Sequence, residues 1–261
     1  MSDAPKPAAP AAPPATSGLE LAPWPQVDFA AFGPVETKPI TRIQKIVGSV
    51  MQRNWVMIPH VTHHDDADAT ALEALRAKLA AEGNKVTPLA FLVKAAVAAL
   101  KAMPQFNVSI DGSGKNVVSK KYWHIGFAVD TPGGLLVPVL RDADQKSVTE
   151  LAAEIAAVSE QARTKGLPMD RMSGGCFSIS SLGSIGGTAF TPIINAPEVA
   201  IMGITRTFQK PVNVGGQLAW QPTLPLSLSY DHRVINGADA ARFCRAFADA
   251  LAQPEALVAG G

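Results

Sequence analysis

One histidine in this chain lies where an imidazole could act as a general base. His232 follows LPLSLSYD, residues 224–231, in which apolar and small polar residues alternate with the period of a strand whose apolar face is buried. At the exit from such a strand, backbone contacts can hold an imidazole that still faces a cleft, as a base working near neutral pH requires. The alternative, from these residues alone, is a histidine that only caps the turn.

The residues after His232 predict the element that supports it. Asn236 or Asp239 can cap a helix at its N-terminus. Apolar side chains then recur on one face of that helix, at Ala241, Phe243, Cys244, Phe247, Ala248 and Leu251. His232 is therefore expected at a strand-to-helix turn.

A pair of serines is the second candidate. In CFSISSLG, residues 176–183, strand alternation puts Cys176, Ser178 and Ser180 on one face and Ser181 on the other. From the residues alone, Ser180 is explained as a small side chain chosen for packing beside crowded backbone. Neither serine of the pair lies in a Gly-x-Ser-x-Gly motif, so a nucleophile elbow is not indicated.

Two blocks together resemble a known family. DHRVING, residues 231–237, resembles the His-x-x-x-Asp-Gly signature of dihydrolipoamide acyltransferases and chloramphenicol acetyltransferase; His232 and Gly237 match, and Asn236 stands where most members have Asp. The block CFSISSLGSIGGTAFTPIINAPEVAIMG, residues 176–203, resembles the serine-bearing core of the pyruvate-type members and lies upstream of the histidine, as in that family. The resemblance extends from about Trp24 to about Leu257 and identifies the chain as a member of the dihydrolipoamide acyltransferases.

The resemblance implies a role for each matching residue. His232 would take the proton of the coenzyme A thiol, and Ser180 would donate its hydroxyl to the oxyanion of the tetrahedral intermediate. Asn236 and Gly237 belong to the histidine signature; Asn236 counts with His232 and Ser180 as a catalytic residue, and Gly237 as a supporting one.

Two further residues are assigned supporting roles by the resemblance. Arg42 matches an arginine that bonds the residue at position 236, although a solvated arginine is the simpler reading of Arg42 itself. Asp130 and the TPGG turn, residues 131–134, match a segment that lies near the active centre of those enzymes.

The resemblance also implies a fold and an assembly. We expect a two-layer α/β, chloramphenicol acetyltransferase-like fold with a large mixed sheet packed against helices. The family forms trimers in which His232 of one chain would face Ser180 of the next. Leu257 and Val258 are followed by only three small residues, so little apolar surface remains to join trimers into a larger core such as a 24-mer, and we favour a trimer over an obligatory cage.

The substrates follow from the same family. Coenzyme A and a dihydrolipoyl thioester would be the two substrates, and other components of a 2-oxoacid dehydrogenase complex would be partners. The lipoyl group is expected on a lipoyl domain of another protein or on a segment absent from this sequence.

Composition excludes several other classes. The chain has 261 residues, 47% of them hydrophobic, and a net charge of +1, which fits one substantial domain core and predicts neither nucleic acid nor an acidic membrane as a partner. No apolar run approaches the roughly 20 residues of a membrane span, and the N-terminus lacks the basic-then-apolar layout of a signal peptide, so we expect a cytoplasmic protein. Cys176 and Cys244 are expected to be reduced and structural.

The chain divides into three parts. Residues 1–18 are expected to be a disordered Ala/Pro-rich tail or linker, since that composition cannot bury enough apolar surface to offset ordering. Residues 19–37 form an extended arm whose Trp24, Phe29 and Phe32 are expected on a neighbouring surface. Residues 38–261 form the acyltransferase catalytic domain.

Three helices are predicted to begin with a capping box, and a fourth begins at Thr87-Pro88 and ends before Pro104. The three boxes pair Thr41 with Gln44, Thr70 with Glu73, and Ser147 with Glu150.

A cluster of histidines and aspartates suggests a metal site. Its members are His60, His63, His64, Asp65, Asp66 and Asp68, and both residue types bind zinc or iron. Their spacing fits no standard site, and a solvated strand end leading into an acidic helix start explains the same residues. We therefore expect no metal.

Three hypotheses of function remain. The first is an acyltransferase that forms acetyl-coenzyme A, with succinyl or branched-chain acyl groups as alternatives to acetyl. The second is a scaffold that keeps the fold and only builds the core of a complex, against which the intact His232 and Ser180 argue. The third is a metal-dependent hydrolase that uses the histidine and aspartate cluster.

Overall fold

The computed structural model describes residues 23–259. The predicted Ala/Pro tail at residues 1–18 lies outside the described residues, as do the first four residues of the arm and the last two of the chain. No helix in the described range is long and apolar enough to cross a membrane.

Six α-helices and eleven strands make up the described fold. The helices are α1 (Arg42–Met57), α2 (Thr70–Ala81), α3 (Pro88–Ala102), α4 (Val148–Thr164), α5 (Gly237–Ala252) and α6 (Pro254–Ala259). The strands are β1 (His60–Asp68), β2 (Val108–Ile110), β3 (Val117–Ser119), β4 (Ile125–Phe127), β5 (Val129–Thr131), β6 (Gly134–Leu136), β7 (Val139–Leu140), β8 (Phe177–Ser181), β9 (Ala200–Ile204), β10 (Phe208–Val214) and β11 (Gln217–Asp231).

One large mixed sheet organises these elements. Its strand order is β1-β11-β9-β8-β4-β7, and β10 pairs with β11 beside this path. β8 runs parallel to both β4 and β9, whereas the other neighbours are antiparallel. The prediction of an α/β fold with a large mixed sheet is confirmed.

The two faces of this sheet differ in chemistry. The apolar side chains of β11 belong to one buried core with those of α3 and α5. In this core the Phe243 ring stacks on Phe106 at 4.2 Å between centroids and lies 5.5 Å from that of Phe177. The opposite face carries the serines of β11, and the segment 183–199 crosses it on its way from β8 to β9. The alternation of leucine and serine in LSLS, residues 226–229, therefore divides a helix-covered core from a polar surface that a loop covers.

Two of the three predicted capping boxes are confirmed. Thr41 and Gln44 exchange both bonds at the start of α1, and Ser147 and Glu150 do so at the start of α4. The third is wrong: Thr70 is the first residue of α2, and its N–H is bonded to Asp68 Oδ1. The physical reason is that α2 begins directly after β1, with Ala69 as its N-cap, one residue earlier than a Thr70 cap requires.

The arm exposes its aromatic residues within the single chain. Trp24, Phe29 and Phe32 are 86%, 68% and 84% exposed. Ile43 and Ile46 on the adjoining helix α1 are also exposed. Docking of this arm on a neighbouring subunit stays a prediction.

Candidate active site

His232 lies at the end of β11, as predicted, on a turn whose backbone is fully engaged. Its N–H donates to the Pro59 carbonyl, and the Asp231 N–H donates to the Val199 carbonyl. The N–H groups of Val234 and Ile235 both donate to the Asp231 carbonyl and close the turn. The backbone that carries the imidazole is therefore held from both neighbouring segments.

The His232 side chain itself is exposed. Its ring lies 5.9 Å from the Tyr230 ring, centroid to centroid. Among the described residues, neither of its ring nitrogens has a hydrogen-bond partner. An imidazole whose backbone is held in place and whose ring nitrogens are unbonded can take and return a proton.

Asn236 is the N-cap of α5. Its Oδ1 accepts from the Asp239 N–H at 2.9 Å, and its Nδ2 donates to Asp239 Oδ2 at 2.7 Å. Gly237 follows as the first helical residue, where a Cβ would lie 3.6 Å from the Tyr230 hydroxyl. The signature residues thus start the helix that the sequence predicted after His232.

Ser180 lies on β8, half-buried, on the polar face of the sheet. Its strand partner is Gly203 on β9, whose own partner on β11 is Ser227. A Cβ at Gly203 would come within 2.7 Å of the Phe190 ring, so glycine is required there for the crossing segment to pack against the sheet. Ser180 makes no side-chain hydrogen bond to the described residues, which leaves its hydroxyl available to a ligand.

Within one chain, Ser180 and His232 lie at opposite ends of the sheet. The register aligns Ser180 with Ser227, which precedes His232 by five residues on β11. Five residues at about 3.3 Å each and two strand spacings of about 4.8 Å separate the two side chains by roughly 19 Å. They cannot act on one thioester from the same chain.

The two supporting residues Arg42 and Asp130 lie at the Ser180 end of the sheet. Ile43, next to Arg42, packs beside Gly133 and Gly134 of the β5–β6 turn. The Ala128 N–H, at the entry to β5, donates to the Ile179 carbonyl beside Ser180, which places Asp130 at the Ser180 end. From Arg42, α1 runs about 20 Å to Asn54, which bonds the Ile194 carbonyl nearer the His232 end.

Arg42 and Asn236 are therefore not partners inside the single chain. The Asn236 amide is bonded to Asp239, and the Asn236 side chain lies at the end of the sheet opposite to Arg42. The contact between Arg42 and Asn236 stays a prediction. Like the contact between Ser180 and His232, it would require a second chain.

The histidine and aspartate cluster is engaged in structural bonds. His60 Nε2 accepts from the Ile194 N–H at 3.0 Å, so its Nδ1 carries the hydrogen donated to the Ile58 carbonyl. His64 bonds the Ser227 hydroxyl at 3.0 Å, and Asp65 bonds Arg245. Within residues 23–259, no three His, Cys, Asp or Glu side chains are grouped to hold a metal ion.

Sequence reasoning missed a buried carboxyl near the His232 end. Glu198 directly precedes Val199, the residue whose carbonyl holds Asp231, and it is buried. Burial raises the pKa of Glu198 to about 7, against smaller opposing effects of Ser178, Lys120 and Asn195. Its Oε2 and the neighbouring Ser178 hydroxyl have no hydrogen-bond partner of good geometry among the described residues. An acidic residue directly before the buried strand VAIMG was the available signal.

Both cysteines are buried and free, as predicted. Burial raises the pKa of the Cys176 thiol and raises that of Cys244 to about 12. Neither thiol is a nucleophile at neutral pH.

Known proteins resemble this chain over most of its length. Residues 32–259 match the family described as 2-oxoacid dehydrogenases acyltransferase (catalytic domain). The dihydrolipoyllysine-residue acetyltransferase component of the pyruvate dehydrogenase complex of Cupriavidus necator is 60% identical over 238 residues, which is 90% of this chain and 43% of that protein. The corresponding Azotobacter vinelandii component is 54% identical over 89% of this chain and 37% of its own length. The chain spans less than half the length of these two relatives.

Solved structures of the same kind of enzyme also resemble this chain. A crystal structure from a study of the role of a serine, a histidine and an asparagine in the catalytic mechanism of Azotobacter vinelandii dihydrolipoamide acetyltransferase superposes with a TM-score of 0.88, at 52% identity over 91% of this chain and 99% of that one. The cubic core of the pyruvate dehydrogenase multienzyme complex gives the same TM-score at 53% identity, with the same coverage of both chains. Chloramphenicol acetyltransferase shares the fold, with a TM-score of 0.55 and 14% identity over 77% of this chain and 94% of its own.

Proposed function

The chain belongs to the 2-oxoacid dehydrogenase acyltransferases, and from this premise we propose that it transfers an acetyl group from a dihydrolipoyl thioester to coenzyme A. Two thiols exchange one acyl group, so no covalent enzyme intermediate is needed. The observation that carries the proposal is a free imidazole on a rigid turn together with an unpaired serine hydroxyl, in a chain whose relatives are acetyltransferases.

The chemistry requires one base and one oxyanion donor. His232 takes the proton from the coenzyme A thiol, and the thiolate attacks the carbonyl carbon of the acetyl thioester. The Ser180 hydroxyl donates a hydrogen bond to the oxygen that becomes negative. When the tetrahedral intermediate collapses, the C–S bond to the dihydrolipoyl sulfur breaks and His232 returns the proton to that sulfur.

The separation of Ser180 and His232 within one chain supports a centre that forms between two chains. A trimer in which the Ser180 end of one copy meets the His232 end of the next would bring both pairs together: Ser180 with His232, and Arg42 with Asn236. The spacing along the sequence supports the assignment of Ser180, His232 and Asn236 as site residues. The serine, histidine and asparagine studied in the Azotobacter vinelandii enzyme are 52 and 4 positions apart, and so are Ser180, His232 and Asn236 here.

Substrates, partners and location follow as part of the proposal. The lipoyl group arrives on a lipoyl domain, from this protein or another, and the other components of a pyruvate dehydrogenase complex are partners. Trimers are the working unit, and the likeness to a cubic core supports their further assembly, up to 24 chains, against the weak contact between trimers expected from the last residues of the sequence. The bacterial relatives favour the cytoplasm as the compartment.

The direct test replaces the base. We expect His232→Ala to lower acetyl transfer between acetyl-coenzyme A and dihydrolipoamide at least about a hundredfold. Circular dichroism and light scattering would show a folded assembly of unchanged size, because the side chain is exposed. His63→Ala is the matched control, and it should leave turnover unchanged. Wild-type turnover in His232→Ala would refute the mechanism, and an inactive wild-type protein would favour the scaffold instead.

A further inference from the structure

The residues on either side of His232 are joined to each other. Asp231 and Arg233 form an ion pair across the histidine, with Arg233 Nη2 2.6 Å from Asp231 Oδ2. Arg233 Nε lies 2.9 Å from Oδ1 and 3.1 Å from Oδ2, so the guanidinium binds both carboxylate oxygens. The Arg233 N–H donates to Oδ1 as well, at 3.0 Å.

Burial makes this pair unlike a surface contact. The Asp231 side chain is 2% exposed and that of Arg233 is 43% exposed. A carboxylate in such a place needs its cation, since an ionised group without a partner is strongly disfavoured in the interior. The pair is therefore formed whenever the strand end is folded.

The pair also restrains a very short piece of chain. Some of the other ion pairs connect distant elements: Arg245 of α5 bonds Asp65 of β1, 180 residues away, at 2.8 Å. Asp231 and Arg233 are two residues apart, and the loop they close contains only His232. Their pairing does not connect distant elements of the fold. It makes this turn more rigid.

The pairing also sets the direction of the imidazole. With the side chains of residues 231 and 233 drawn to one side of the backbone, the side chain of His232 is left to the other, where its ring lies near Tyr230. The bonds to the Val199 and Pro59 carbonyls prevent the turn from rotating as a unit. What remains free is rotation about the side-chain bonds of His232.

We propose that Asp231 and Arg233 are positioning residues that hold the His232 imidazole in the orientation needed to take the coenzyme A proton. The inference rests on the proposed acyl transfer and adds two residues to its machinery. Neither side chain touches the reacting atoms, so loss of the pair should slow the chemical step and leave substrate binding intact.

The experiment measures kcat and KM for both substrates in the assembled enzyme. We expect Arg233→Gln to lower kcat about tenfold to a hundredfold, as a misplacement of about 1 Å can, with both KM values within twofold of wild type. Arg233→Lys keeps the charge without the two-pronged contact and should recover part of the loss. Arg245→Gln, which breaks an ion pair of similar length far from the histidine, is the matched control and should keep wild-type kcat.

A double variant separates positioning from a simple loss of folding. Asp231→Asn combined with Arg233→Gln removes the buried charge together with its partner, so the protein should fold, yet kcat should stay low. Recovery of wild-type kcat in the double variant would overturn the proposal. The pair would then only neutralise the buried charge of Asp231 and would not position His232. A raised KM for coenzyme A at unchanged kcat would also overturn it, since Arg233 would then bind substrate.

His232→Ala measured in parallel distinguishes the two proposals. If His232→Ala keeps wild-type turnover, the proposed function fails. If it loses turnover while Arg233→Gln keeps it, only the positioning role fails.

Discussion

The two ends of the central sheet present the two proposed catalytic groups in opposite ways. At the His232 end, backbone bonds, a buried ion pair and a buried carboxyl surround the turn. At the Ser180 end, the serine hydroxyl makes no hydrogen bond to the described residues, and a glycine-rich turn follows the strand, with Gly187 at a φ of 90°.

The difference matches what each group has to do. A general base must be oriented towards one proton, so the backbone that carries it is rigid while its ring nitrogens stay unbonded. An oxyanion donor must reach an oxygen that moves as the carbonyl becomes tetrahedral, and a hydroxyl that is not already bonded can rotate to follow it. Four predictions test this contrast.

The largest expected effect is at Ser180. We expect Ser180→Ala to remove about 2.7–4 kcal/mol of transition-state stabilisation, seen as a loss in kcat with coenzyme A binding nearly unchanged. The control is Ser181→Ala, whose side chain lies on the opposite face of β8. Steady-state kinetics on both variants decides the matter, and a larger loss in Ser181→Ala would reverse the assignment.

The second effect is on stability at the His232 end. A Glu198 pKa raised from 4.5 to about 7 means that the folded state holds the proton more tightly than the unfolded chain. Its contribution is therefore most favourable below about pH 4.5 and is lost as the pH rises through about 7, by about 3 kcal/mol. Glu198→Gln should remove this pH dependence and stabilise the protein above pH 7.

Denaturant unfolding between pH 5 and 8 measures that effect. Glu160→Gln, at an exposed carboxylate on α4, is the control and should leave the pH dependence unchanged. Equal stability of wild type and Glu198→Gln at pH 8 would contradict the prediction.

The third prediction asks whether the two ends meet between chains. Chains with His232→Ala, co-assembled with chains carrying Ser180→Ala, should regain about a quarter of wild-type activity, since random trimers place an intact serine beside an intact histidine at one contact in four. A chain with both substitutions, co-assembled with His232→Ala, should regain none. If the first mixture also stays inactive, both groups act within one chain or not at all.

The smallest effect concerns the helix cap that follows His232. Asn236→Asp keeps an oxygen to accept the Asp239 N–H but loses the amide that donates to the Asp239 carboxylate. We expect activity to be retained and stability to fall by less than about 1 kcal/mol, through repulsion between two partly exposed carboxylates. Adding Asp239→Asn should reverse the loss in thermal unfolding, and an inactive but folded Asn236→Asp would contradict the prediction.

Local patterns predicted most of the elements but not their contacts. The capping boxes at Thr41 and Ser147 and the apolar face of α5 depend on residues three to four positions apart, so the sequence shows them directly. The box at Thr70 was wrong because α2 begins at Thr70 itself, directly after β1, and the end of β1 is set by its pairing with β11, which no local pattern reveals. His60 looked like a metal ligand for the same reason: its partner, Ile194, is 134 residues away.

By itself, the sequence determined the types of element and the chemistry they carry: a histidine after a buried strand, a serine on an alternating strand, and two motifs shared with a family. These are local properties, since strand and helix periods and caps are set within a few residues. Only the tertiary structure decided where those residues lie, because strand order and register are set by pairings between distant segments. That register puts Ser180 and His232 about 19 Å apart in one chain, which is why the proposed active site requires a second chain.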